Sequence, residues 1–442
     1  MNLDIKSPVA ILGFGIEGHS ALAYLEQQGI KDITICDENE IVIPTAVEGS
    51  ARFQNSFDNL SDYSTIIRSP GVHYDRQEIK EAREAGAIIT SMTELALELA
   101  KDRITAITGS SGKTTTTALV GEILKAHYSN NVIIGGNDRK PVLQDAIDHP
   151  DWPIVMEVSS FQFADIETSP HISAVLNITP NHLDWHEDLA DYIHAKNNLI
   201  KHQSENDWTV LNANNEDSAK LASGAPTQIF WVGEKKGDNW AMWESDQLVV
   251  NNETIIGRDQ IKLKTHPDNI AFAAVIAKLH KVPNQTIANV MKEFGSVEHR
   301  LEFVKTVNDI HFYNDSSCTT PESAEVAIDQ FPDGQLILLL GGSSKNADFS
   351  FLASKIKNHN IRAYLYGEEG EKIQEAIKEA DGQDLIINYN QSGNFEEIVK
   401  DAFSKANPED NIVLSPACAS FDIFKNSKDR GNQFKDIVNK LN

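Results

Sequence analysis

The chain has 442 residues, 40% hydrophobic and 24% charged, and carries a net charge of −26. That length suits about three domains with real cores, and so negative a chain excludes nucleic acid or an anionic membrane as its main partner, because phosphate surfaces need a basic face. Cys36, Cys318 and Cys418 lie far apart with no CxxC pair, and no apolar run reaches the ~18–20 residues of a membrane span, so the expectation is a cytoplasmic monomer with reduced thiols and no structural zinc.

The first segment alternates short apolar runs with helical patterns. A strand over 9–12 leads into Gly13-Phe14-Gly15-Ile16-Glu17-Gly18 and an amphipathic stretch over 19–28. A second strand over 33–36 ends at Asp37, and Ile66-Ile67 precede Arg68-Ser69-Pro70-Gly71. This rhythm predicts a parallel sheet with helices on its faces. GxGxxG between strand and helix, with an acid about 20 residues on, is the dinucleotide fingerprint. By motif alone NAD leads, yet the physics asks only for a diphosphate at a helix N-terminus, which a nucleoside-diphosphate conjugate also supplies. Tight helix–strand packing is the plainer alternative. A helix over 92–101 carries the chain into a second domain.

That domain opens with Thr108-Gly109-Ser110-Ser111-Gly112-Lys113-Thr114-Thr115, between an apolar β-branched strand and a helix. Unpaired N–H groups and the helix dipole favour anions there. Gly109 and Gly112 admit a polyphosphate, Lys113 neutralises it, and the Thr114 hydroxyl faces Mg²⁺. The strict pattern has Gly where this chain has Ile107, so the loop is a shortened variant. Its ligand is expected to be ATP.

Strands over 132–134, 153–158, 173–178 and 209–211 follow, and residues 226–262 read as an antiparallel addition. Glu157 ends one of these strands, where nucleotide-binding sheets present a Mg²⁺ ligand, although an edge charge fits as well. Asn181-His182-Leu183-Asp184-Trp185-His186 gathers two imidazoles and a carboxylate, either a metal site or a satisfied polar loop. Lys196, on a helix over 192–200, reads by itself as a solvated lysine. Helices over 270–280 and 287–294 close the domain.

The third domain has strands over 311–314, 336–340, 363–366 and 411–414 with helices between them. Asn314-Asp315-Ser316-Ser317-Cys318-Thr319, Gly341-Gly342-Ser343-Ser344-Lys345 and Ser415-Pro416-Ala417-Cys418-Ala419-Ser420 each follow a strand. Three such turns suggest a small polar ligand at the C-terminal edge of a sheet. The expected fold is α/β with three domains: a Rossmann-like domain over 1–100, a central P-loop ATPase-like domain with a mostly parallel sheet over 101–296, and a C-terminal Rossmann-like domain over 297–442.

Taken in this order, the phosphate loop, Gly135-Gly136-Asn137, Glu157–Gln162, Asn181–Asp184, His299-Arg300, Asn314–Ser316, Gly341-Gly342 with Lys345, Ser415–Ser420, Phe424-Lys425-Asn426 and Asp429-Arg430-Gly431 resemble the Mur ligases. These are ATP-dependent amino-acid ligases of peptidoglycan precursor synthesis, and the resemblance spans essentially the whole chain. It implies that Gly15, Ile16, Asp37, Ser69, Gly71 and Asn137 hold the UDP substrate, so NAD is not needed. It also implies ATP held by Gly109–Thr115 with Asn269, Arg300 and Asp315, and an amino acid received by Thr319, Lys345 and Ser420. Catalysis would fall to Lys113, Glu157, His182 and Lys196. Thr114 and Glu157 would ligate one Mg²⁺, and His182 with Lys196, carried as a carbamate, a second, since CO₂ turns the cation into an oxygen ligand suited to Mg²⁺.

The implied substrates are UDP-N-acetylmuramoyl-L-alanine and D-glutamate. The chain departs from the pattern at Ser317 and Ser427, both at the amino-acid end, and Phe272 stands near an expected second adenine-binding asparagine. L-glutamate or another amino acid therefore stays open as the acceptor.

Overall fold

The computed structural model describes residues 5–39, 51–137, 140–182, 185–344, 347–390 and 394–441. They fall into two compact units, Met1–Arg258 with Pro267–Val290, and Asp259–His266 with Met291–Asn442.

The first unit holds two sheets. In the N-terminal one, β1 (Val9–Leu12), β2 (Ile33–Cys36), β3 (Arg52–Gln54), β4 (Thr65–Arg68) and β5 (Ile88–Thr90) run parallel in the order β3-β2-β1-β4-β5. Strands covered on both faces read as continuous apolar runs. Accordingly Val9, Ile11, Ile33 and Ile35 pack into one cluster, while Ala10, Leu12, Cys36 and Ile66 pack into another on the opposite face. The order turns back at β1, between β2 and β4, and ligands sit outside the strand C-termini at such switch points.

The second sheet contains β6 (Ile104–Thr108), β7 (Ile133–Gly135), β8 (Ile154–Glu157), β9 (Ile172–Val175), β10 (Trp208–Asn212), β11 (Gln228–Val232), β12 (Trp240–Glu244), β13 (Gln247–Val250) and β14 (Glu253–Gly257). Its order is β14-β13-β12-β11-β10-β9-β6-β8-β7. Residues 226–262 are thus only partly an antiparallel addition. β11 lies parallel to β10 and β12 parallel to β11, and the antiparallel part is confined to β12-β13-β14. Asn251 and Asn252, both at positive φ, supply the tight turn that this hairpin needs. β9 ends at Val175, shorter than the apolar run suggests, because Asn177 leaves the sheet to bond the phosphate loop.

The second unit is built on β15 (Glu302–Val307), β16 (Ile310–Asn314), β17 (Leu336–Gly341), β18 (Arg362–Tyr366), β19 (Ile386–Asn390) and β20 (Asn411–Leu414), ordered β15-β16-β20-β17-β18-β19. Alternation along one strand separates its two cores. Leu336, Leu338 and Leu340 enter one cluster, and Ile337 and Leu339 the other. β15 has no counterpart in the sequence reading. It pairs antiparallel with β16 through a turn at Asn308-Asp309, and its side chains stay half exposed, which weakens the apolar signal. Among the described residues, no helix is long and apolar enough to cross a membrane.

Candidate active site

The first unit carries two strand–loop–helix devices. In the first, Gly13–Gly15 joins β1 to helix Ile16–Gln27. A Cβ at Gly18 would overlap the Gly13 carbonyl, so helix and loop can meet only around a glycine. The Phe14 N–H donates to Asp37 Oδ2 (2.8 Å), the Asn39 N–H to Asp37 Oδ1 (3.0 Å), and Ser69 Oγ to the Gly13 carbonyl (2.8 Å). Asp37 and Ser69 therefore brace the loop. Those bonds keep the Asp37 carboxyl below its ordinary range even though burial opposes them.

Together these groups line a cavity of about 660 Å³, which also takes in Gly15, Ile16, Gly71, Asn137, Phe161 and Trp185. Every residue expected at the UDP substrate borders this one cavity. Its wall also includes Glu17 and Gln162, which the sequence reading did not single out.

The second device joins β6 to helix Lys113–His127 through Gly109–Gly112. Gly112 sits at φ +83°, and a Cβ there would run into the Asn269 side chain, which places Asn269 against the loop. Ser111 N–H donates to Asn177 Oδ1 (2.9 Å), and Asn177 Nδ2 returns a bond to the Ser111 carbonyl (3.2 Å). Ser110 Oγ reaches the Thr179 carbonyl (2.9 Å) and meets the Tyr192 hydroxyl (3.0 Å). Lys113 Nζ folds over the loop onto the Gly109 carbonyl at 2.9 Å. Thr115 stands half-buried in the first turn of the same helix.

Around this loop lie the groups that fit a divalent cation. Thr114 Oγ1 (3.1 Å) and Asn137 Nδ2 (3.3 Å) both donate to Glu157 Oε1. Glu157 is buried, and its Oε2 has no protein partner. A buried carboxylate oxygen left open beside a hydroxyl is the hard donor set that Mg²⁺ prefers, so the residues fit that ion.

Lys196 is not the solvated lysine of its local sequence. It is buried, donates to Thr108 Oγ1 (3.1 Å) and lies 4.5 Å from the centre of the Tyr192 ring. Burial, helped by the nearby Lys113 charge, holds its amine well below the usual lysine range.

The 181–186 loop divides into two roles. His186 is a satisfied core imidazole, with Asp191 Oδ2 at 2.8 Å from Nδ1 and Ser160 Oγ at 2.8 Å from Nε2. His182 takes a left-handed φ of 56° with its ring edge-on to Phe161. Asp184 lies outside the described residues. Among those described, no cluster of three His, Cys, Asp or Glu side chains forms a metal site.

In the second unit, the loops after β16, β17 and β20 leave three adjacent strands, so the three turns share one sheet edge. Asp315 is buried, accepting from the Leu301 N–H (3.2 Å) and Ser415 Oγ (2.8 Å). Burial pushes its carboxyl up to about 6, against the pull of Ser415 and Arg300. Arg300 follows His299 in a segment where His299 and Leu301 have positive φ. Thr319 lies half-buried just ahead of helix Pro321–Ile328, and Ser420 is buried. Lys345 lies outside the described residues.

Arg430 ties two of these loops together. Fully buried, it donates to Ser316 Oγ, the Ser316 carbonyl and the carbonyls of Cys418 and Ala419. Ser427 begins the helix that carries Arg430, and its carbonyl accepts from Ser316 Oγ (2.7 Å). Phe272 is fully buried on helix Pro267–Leu279, where it serves the core.

Three family models cover most of the chain. Residues 107–291 match the Mur ligase middle domain, residues 299–418 the glutamate ligase domain of Mur ligases, and residues 7–91 the MurD-like N-terminal domain. The chain is 34% identical to the UDP-N-acetylmuramoylalanine–D-glutamate ligase of Acetivibrio thermocellus, over 98% of this chain and 96% of that protein. It is 32% identical to the enzyme of the same name from Symbiobacterium thermophilum, over 99% of each. Among solved structures, the UDP-N-acetylmuramate–alanine ligase MurC of Thermotoga maritima shares the fold, with a TM-score of 0.60 and 18% identity across 98% of this chain and 99% of that one. The chain belongs to the Mur ligase family.

Proposed function

We propose that this chain is an ATP-dependent ligase that joins D-glutamate to UDP-N-acetylmuramoyl-L-alanine in the cytoplasm. The observation that carries this reading is the grouping of Lys113, Thr114, Asn137 and Glu157 around one phosphate loop, in the unit that also holds the Gly13–Gly71 cavity. The one-third identity to ligases of that name supports the choice of substrates.

The nucleotide sugar occupies the cavity through Gly15, Ile16, Asp37, Ser69, Gly71 and Asn137. ATP lies along Gly109–Thr115 with Asn269. The muramoyl-alanine carboxylate attacks the γ-phosphorus, the bond to the β-phosphate oxygen breaks, and an acyl phosphate forms with ADP. Lys113 follows the charge on the moving phosphoryl group, where a preorganised cation acts most strongly. The D-glutamate amine, held by Thr319, Lys345 and Ser420, attacks the acyl carbon, loses a proton, and phosphate leaves.

Thr114 and Glu157 would hold one Mg²⁺ and His182 with Lys196 a second, and the ions would supply Lewis acidity to the phosphoryl oxygens. We take Lys196 to be carbamylated. Burial and the Lys113 charge favour the neutral amine, which is the form that attacks CO₂, and the carbamate is an oxygen ligand.

A phosphate-release assay tests the reading. Turnover is expected only when ATP, UDP-N-acetylmuramoyl-L-alanine and D-glutamate are all present. Faster release with L-glutamate or another amino acid would reassign the acceptor, and turnover without the nucleotide sugar would sink the ligase.

A further inference from the structure

Glu17 is a carboxyl in the wrong place for an ordinary anion site. It lies in the first turn of helix Ile16–Gln27, on the wall of the cavity assigned above to the nucleotide sugar. Its two oxygens are not equivalent. Oε1 accepts from Gln162 Nε2 at 2.9 Å. Gln162 is itself oriented, because its Oε1 accepts the Ser159 N–H (3.0 Å) in a capping box, leaving Nε2 to face Glu17 and Thr93. Oε2 is buried with no protein partner.

The charged groups around it do not neutralise it. Arg68, at the end of β4, is committed to Asp165 and to the carbonyls of Ser69, Val72 and Phe161. From β2, Asp37 and Glu38 add negative charge to the cavity wall, and Arg76 pairs with Glu38 and Glu78. His73 borders the cavity, and His19, on the helix of Glu17, packs its ring at a tilt against Phe14. On helix Met92–Ala100 the nearest acid, Glu94, turns to the Glu167 N–H. Burial raises the Glu17 carboxyl to about 7, against the Gln162 bond and the Arg68 charge. A diphosphate brought to this helix N-terminus adds further negative charge and favours the neutral acid still more.

We propose that Glu17 grips the diphosphate of the nucleotide sugar as a neutral acid, with Oε2–H donating to a phosphate oxygen while Oε1 accepts from Gln162, so that binding takes up one proton. This rests on the substrate reading above. The proton comes from solvent, and no covalent bond changes.

Calorimetric titration of the full-length chain with UDP-N-acetylmuramoyl-L-alanine, in buffers of different ionisation heat, counts that proton directly. The ligand's diphosphate and carboxylate are ionised well below neutrality, and its uracil N3–H loses a proton only in more alkaline solution than the range titrated. Uptake of roughly half a proton at pH 7, nearing one at pH 8, is expected, with Kd weakening up to about tenfold per pH unit above 7. Glu17→Gln should abolish the uptake and flatten Kd against pH, while His73→Gln should leave the uptake in place. Binding by the wild-type chain without uptake, or uptake that survives in Glu17→Gln, overturns the role of Glu17 and leaves the substrate reading intact. A folded wild-type chain that fails to bind the nucleotide sugar at any pH overturns both.

Discussion

The two glycine loops of the first unit share a backbone plan and differ in charge. Each follows a buried parallel strand, turns on a positive-φ glycine and opens a helix whose cap residue is glycine. The first then places Glu17 in the opening turn, and the second places Lys113 there with no acid in the turn at all. Helix N-termini attract anions in both cases, so the backbone alone does not separate them. The side chains do. A diphosphate that serves as a handle needs only to be held, and a neutral donor suffices. A phosphoryl group that moves needs a fixed cation that gains strength as charge develops.

Removing that cation should give the largest effect. Lys113→Met is expected to lower kcat by at least about 10²–10³-fold, the usual scale for deleting one preorganised charge-stabilising donor. Nucleotide-sugar affinity, measured separately by calorimetry, should stay within a few-fold. A variant that kept its rate would erase the distinction between the loops.

Lys196 comes next. Lys196→Ala should lose about 10²-fold or more in kcat and recover part of it with added short carboxylates, read by phosphate release. Full activity without rescue would remove the carbamate. Lys196→Met separates function from stability. A lysine whose folded pKa is depressed binds fewer protons folded than unfolded, so it costs stability as pH falls below its unfolded value of 10.5. In buffer stripped of CO₂, where the lysine is the free amine, Met removes that cost, and thermal unfolding at pH 7 should show a higher Tm in an inactive protein. No change in Tm would mean that the charge is better solvated than its burial indicates.

These two lysines also show what a sequence can and cannot carry. Lys113 was legible because its signal is local: strand, small residues, lysine, hydroxyl and helix in one run. The Gly13–Gly18 loop and Asp37 had a local signal of the same kind, whereas Ser69, Gly71 and Asn137 were singled out only by the family resemblance, and all of them line one cavity. Lys196 read alone as a surface lysine, because its burial is made by residues far along the chain, Thr108 among them. Only a family resemblance singled it out.

Glu17 and Gln162 each stood inside a named motif, but their pairing escaped, since the bond spans 145 positions and no local pattern encodes it. Arg430 was visible as part of a run, but its role as a clamp on two loops rests on bonds to backbone carbonyls, which leave no residue-type signature. At the fold level, strands buried on both faces announced themselves, whereas β15, half exposed at an edge, did not.

The smallest expected effects come from the glycines, and they sharpen the comparison from the backbone side. In Gly18→Ala the new methyl meets the Gly13 carbonyl, which cannot move without shifting the loop from Asp37 and Ser69. Overpacking of that kind costs about 1–3 kcal/mol. It should appear as a roughly tenfold rise in KM for the nucleotide sugar, since about 1.4 kcal/mol is tenfold in an equilibrium, with KM for ATP nearly constant. In Gly112→Ala the methyl meets the buried Asn269 side chain, and the positive φ adds a penalty of about 1–2 kcal/mol. That variant should raise KM for ATP and spare the nucleotide sugar. If both substitutions raised the same KM, the two loops would be serving one ligand, and the division of labour between Glu17 and Lys113 would fall with it.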